Sequence, residues 1–182
     1  MYTTLEERLL STLFWKETLL HTPLWVWILL IILIRMGIAT SKERPVHFSR
    51  MFLAPLIFMI WGLWTITSTF SHLGYSLISY IVFIFPGVLI GYSLYSKYQS
   101  FFKKERVTFK KKSYLPLFII LINFVVKYLL NVLLASSPTF YKDALFNMIY
   151  SSINGLSVGL FFGGILYTFY KQSKLNRSIL DS

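Results

Sequence analysis

"LPLFIILINFVVKYLLNVLL", residues 115–134, contains one charge, Lys127, and no acid. Wound as a helix, twenty apolar residues are what the hydrocarbon core of a bilayer requires. A helix on the surface of a soluble domain would carry polar residues over about half its circumference. Here the main polar residues are Asn123, Lys127 and Asn131, which recur every four positions and therefore lie on one helical face. The stretch reads as a transmembrane helix with a single polar stripe.

Four further segments have similar character, at about 24–39, 51–68, 75–95 and 149–170. The 182-residue chain is 55% hydrophobic and 14% charged, against about 25% charged in soluble domains. Its charges cluster between the apolar blocks, so the composition is that of a membrane protein rather than of a large soluble core. The first span is expected to remain in the mature protein. Glu6, Glu7 and Glu17 precede it, and no small-residue cleavage site follows it.

The basic residues set the expected orientation. Arg35, Lys42, Arg44 and Arg50 flank the first loop, and Lys97, Lys103, Lys104, Arg106, Lys110, Lys111 and Lys112 fill the third. Lys171, Lys174 and Arg177 follow the last span. With five spans these groups share one face, while Arg8, Lys16 and Lys142 lie on the other. Positive loops stay cytoplasmic, which puts the N-terminus outside and the C-terminus inside a bacterial inner membrane. Trp25 and Trp27 at the outer end, and Tyr92, Tyr95, Tyr114, Tyr167 and Tyr170 at inner ends, suit the head-group level. The net charge of +11 is therefore an orientation signal and a contact for anionic lipid head groups, and nucleic acid is not an expected partner.

Residues 1–20 are expected to hold an amphipathic outer-face helix, with Leu5, Leu9, Leu10, Leu13 and Leu20 at helical spacing. The membrane domain covers 21–170 and a basic tail covers 171–182. A short outer helix is expected from Pro138 to Met148, capped by Ser137. "RPVHFSRMFLAPL" (44–56) matches "ERVTFKKKSYLPL" (105–117) at an offset of 61. This repeat suggests an all-α bundle of two parallel helical hairpins plus a C-terminal helix. The alternating V-x-F of each copy could place two short strands side by side at the cytoplasmic face.

Three features could carry chemistry. Lys127 lies deep in its span, where a charge costs a few kcal/mol; either its stem snorkels up to the outer head groups, or it faces the bundle interior and with Asn123 and Asn131 forms a candidate polar site. None of the seven acids falls within a span, so Glu17 and Asp143 are the candidate counter-charges. That absence weighs against a transporter built on buried carboxylates and against an intramembrane aspartyl enzyme. In the last span Ser151, Gly155, Gly159 and Gly163 are four apart and form a helix-packing face. It is open to an internal partner or to a second protein. Pro86-Gly87 introduces a kink in the third span. Cysteine is absent, and His21, His47 and His72 have no ligand spacing. No nucleophile or phosphate-loop motif is present, so neither a catalytic residue nor a metal or other cofactor is expected.

The opening His21-Thr22-Pro23 with Trp25-Val26-Trp27, the later Pro55, and Leu115-Pro116-Leu117 with Phe124, Lys127 and Tyr128 resemble a family of small bacterial inner-membrane proteins of unknown function. The resemblance covers most of residues 20–165 and implies that Lys127 is a family feature. More distantly, the doubled basic-loop-to-proline pattern resembles CcdC-type membrane proteins. The functional expectation is a non-enzymatic membrane module that packs with itself or with other membrane proteins, through the glycine face of the fifth span. The alternative is a small permease or anion-binding protein centred on Lys127.

Overall fold

The structure is a computed structural model that describes residues 12–46, 48–104 and 107–180. It is almost wholly helical. Helix α1 covers Thr12–Leu20, α2 Leu24–Ser41, α3 the single turn Phe48–Met51, α4 Leu53–Thr69, α5 Leu73–Tyr98, α6 Leu115–Ser136 and α7 Ala144–Leu180. Four of these, α2, α5, α6 and the apolar part of α7, are long and apolar enough to cross a membrane; α4 is apolar but 17 residues long. The expected amphipathic helix is described from Thr12 onward; its leucines at 5, 9 and 10 lie outside the described residues.

Side chains such as Trp64, Phe85 and Leu89 are about 70% exposed. With Ile60, Ile78, Phe118 and Ile122 they form far more exposed apolar surface than a water-soluble monomer tolerates. Hydrocarbon as solvent removes that penalty, because lipid tails are as apolar as these side chains. Polar residues instead lie inside: Asn123, Lys127, Asn147, Ser151 and Asn154 are buried. Together these two features describe a multi-pass membrane protein.

The tightest seam joins α5 to α7. A Cβ placed on Gly155 would overlap the Tyr80 carbonyl oxygen, one on Gly159 that of Ile84, and one on Gly163 that of Val88. From the other side, Gly87 and Gly91 would collide with the carbonyls of Leu156 and Leu160. Missing side chains on both helices let the backbones touch, which is the packing mode available where water supplies no driving force. Contact positions rise together along both helices, so α5 and α7 run parallel. Gly87 belongs to this seam, and α5 continues through Pro86 as one helix. The glycines of the expected packing face, Gly155, Gly159 and Gly163, thus pack on α5 of the same chain.

Elsewhere α2 packs on α6, antiparallel, with Gly37 against Leu117. Helix α4 packs on α7, where the Phe58 and Phe161 rings stack at 5.4 Å. The closest helix pairs are therefore not neighbours in sequence, unlike the expected hairpins. Connections at one end of the bundle form a small sheet of β1 (Arg44–Pro45), β2 (Phe101–Lys104) and β3 (Val107–Lys110), in the order β1-β3-β2. Pairing is antiparallel, with Pro45 opposite Phe109 and Val46 N–H donating to Thr108 O at 3.0 Å. The two copies of the repeated basic segment meet here. At the far end, Ser71 N–H donates to Tyr141 O at 3.2 Å, tying the α4–α5 turn to the α6–α7 connection.

That connection differs from expectation. Pro138–Tyr141 is a single 3₁₀ turn, and the last helix begins at Ala144 and continues without a break. The Asp143 carboxylate accepts the Leu145 N–H at 2.9 Å and caps α7. Ser137 spends its hydroxyl on Thr139 Oγ1 instead of capping.

Candidate functional site

Midway along α6 the polar stripe turns inward. Asn123 donates from Nδ2 to Ile119 O at 2.7 Å, and Asn131 donates from Nδ2 to Lys127 O at 2.8 Å. Asn131 Nδ2 also reaches Tyr150 Oη of α7 at 3.3 Å. Each amide thus closes onto its own helix four residues back, which hides a donor from lipid. Lys127 cannot do this, because its long stem carries the ammonium away from α6. It is 1% exposed.

The ammonium is held between α4 and α7. It donates to Phe58 O at 2.8 Å and to Asn154 Oδ1. The Phe58 and Trp61 rings lie 5.6 and 5.7 Å from it, at cation–π distance. Asn154 is oriented for the task. Its Nδ2 donates to Tyr150 O at 2.8 Å, which leaves Oδ1 for the ammonium. Gly62 provides the space: a Cβ there would lie 3.0 Å from Asn154 Oδ1 and 3.1 Å from Lys127 Nζ.

Glu17 and Asp143 play no part in this node. Both are exposed, and the Asp143 carboxylate caps α7. The acceptors that replace a counter-charge are a backbone carbonyl and a neutral amide. Sequence reading missed Phe58, Trp61, Gly62 and Asn154. Asn154 had a signal, since it is an amide in an apolar span immediately before Gly155. The Phe58 carbonyl had none, because every residue carries one.

Beside the node, at the end of the bundle away from the sheet, lies a cleft of about 410 Å³, within the range of small-molecule sites. Phe14 and Thr18 of α1, His21 to Pro23 of the α1–α2 connection, Trp25 and Val26 of α2, Trp61 of α4, and Tyr128 to Ser136 of α6 contribute to its wall. Trp61 and Asn131 touch both the cleft and Lys127. Thr22 Oγ1 and Tyr128 Oη are 2.7 Å apart across it and join the start of α2 to α6.

The model of DUF6622, a family of unknown function, matches residues 2–172. The chain belongs to that family. The match spans all five expected membrane segments, the node and the cleft, so in this DUF6622 member the whole bundle is the family unit. No curated protein and no solved structure matches the chain.

Proposed function

We propose that this DUF6622 protein is a five-span, non-enzymatic membrane module of the bacterial inner membrane, N-terminus outside. In this reading Lys127 is a structural tie. The observation that carries it is the closure of the ammonium on the chain itself: a carbonyl from α4, an amide from α7 and two ring faces.

The chain's path supports five crossings. Helices α2, α5 and α7 run toward the sheet end, and α6 runs away from it. The sheet follows α2, and α5 starts at the opposite end, so α4 carries the chain back across the bundle. Its 17 residues extend about 25 Å as helix, at the short end of the spanning range. Basic residues gathered around the sheet fit a cytoplasmic face in contact with anionic lipid heads. Reporter fusions test this directly. Fusion within 97–112 should report the cytoplasm and fusion at 138–142 the outside; the reverse pattern would refute the orientation.

A second reading, an anion-binding protein centred on Lys127, is favoured by one feature: Trp61 and Asn131 connect the cleft to the node. Lys127→Met separates the two. A tie predicts lower thermal stability in detergent with no anion affinity to lose. An anion site predicts saturable binding of an anion such as benzoate or phosphate by the native chain, abolished in the variant.

A further inference from the structure

The cleft has the chemistry of a cation site. We propose that it holds the primary ammonium of an ethanolamine phospholipid head group. The proposal rests on the cleft's end of the bundle lying at a membrane surface, as the five-span reading requires.

The first observation is hydrogen-bond accounting. Thr18 Oγ1 donates to Phe14 O, Thr22 Oγ1 to Thr18 O, and Ser136 Oγ to Leu133 O. Carbonyl oxygens only accept, so those three protons are committed. With the Thr22 proton spent, the Tyr128 hydroxyl must be the donor in its 2.7 Å contact with Thr22 Oγ1. His21 Nδ1 faces Glu17 O at 2.8 Å and must carry a proton, which is thereby committed. Asn131 Nδ2 serves Lys127 O and Tyr150 Oη, leaving Oδ1. Apart from the indole N–H groups of Trp25 and Trp61 and the Nε2 edge of His21, the lining side chains have only acceptor lone pairs to offer a ligand.

The second observation concerns helix ends. Val132, Ala135 and Ser136 of the wall belong to the last turns of α6, and His21 and Thr22 follow the end of α1. Neither helix has a basic residue in its last turn. Helix C-termini carry partial negative charge and favour cations. The third is the aromatic lining by Trp25, Trp61 and Tyr128, residue types whose rings attract ammonium groups.

Depth selects the source. The wall combines the first residues of one span, Pro23 and Trp25, with the last of another, Ala135 and Ser136, which is where lipid heads sit. A phospholipid ammonium is present there at high local concentration. Lys127 opposes a second cation, but its ammonium is engaged by α4 and α7, and the ring faces of Phe58 and Trp61 lie against it.

The test uses the full chain in bilayer discs of equal ethanolamine and glycerol phospholipid, extracted gently and weighed with its retained lipid. Ethanolamine lipid should be enriched over the bulk ratio. Trp25→Leu should reduce that enrichment roughly fivefold. Ala135→Lys, at an exposed position, should abolish it while leaving the helical content and melting temperature unchanged. Bulk-ratio retention, enrichment of the glycerol lipid, or enrichment surviving Ala135→Lys would each overturn the proposal. So would displacement by free ethanolamine without any retained lipid. Failure of the five-span reading shows separately, in the reporter fusions.

Discussion

Two regions hold the bundle together by opposite means. Along the α5–α7 seam, side chains are absent and backbones meet, with Gly155, Gly159 and Gly163 against the carbonyls of Tyr80, Ile84 and Val88. At the Lys127 node one long side chain reaches from α6 to a carbonyl of α4 and an amide of α7, helices that approach α6 far less closely than α5 approaches α7. The difference reflects what lipid permits. Apolar side chains gain little by leaving hydrocarbon for a protein interior, so association relies on close packing or on polar contacts. The seam uses the first and the node the second. Damage to the seam is steric and cannot relax, whereas damage to the node removes one donor from a site with some slack.

The largest effect should come from filling the seam. Gly159→Leu places a branched side chain where even a Cβ overlaps the Ile84 carbonyl and Gly87. It should cost more than about 3 kcal/mol and abolish a cooperative melt in detergent. A folded Gly159→Leu protein would show that the seam is not the core of the fold.

The node ranks second. Lys127→Met strands the Asn154 amide oxygen and should lower stability by about 1–3 kcal/mol. Pairing it with Asn154→Leu sharpens the comparison. The two losses should be clearly less than additive in a double-mutant cycle, whereas additive losses would mean the two residues act separately.

Gly62→Ala should cost about 1 kcal/mol, because its Cβ would press on both Asn154 Oδ1 and Lys127 Nζ. The cost should shrink once Lys127 is Met; an unchanged cost would place the crowding elsewhere. The smallest effect belongs to Asp143→Ala, which removes the cap of α7. About 0.5–1 kcal/mol is expected, visible as faster hydrogen exchange confined to residues 144–148. Loss of protection at Gly159 as well would indicate that the seam is less independent of its outer end than its backbone contacts imply.

The polar stripe of α6 was legible as a stripe, because four-residue spacing fixes a helical face, although that spacing left both an inward aim and a reach to the head groups open for the long Lys127 stem. The identity of its partners was not legible. The search for a carboxylate led to Glu17 and Asp143, whereas the ammonium is met by Phe58 O and Asn154. A lysine in low dielectric needs acceptors, and a carbonyl or an amide serves without adding a second charge to desolvate. The outer helix expected at 138–148 failed for a local reason: Asp143 offers a cap just before Ala144, and α7 starts there.

By itself the sequence determined the solvent. Long apolar blocks without acids can only be helices in hydrocarbon, because every backbone polar group must be satisfied within its own segment. The spacing of Ser151, Gly155, Gly159 and Gly163 likewise fixed a face for close approach. Only the tertiary structure decided which helix fills that face, which acceptors hold Lys127, and that a cleft opens beside them. Those outcomes depend on contacts between residues 27 to 106 positions apart, and such distances leave no periodic trace along the chain.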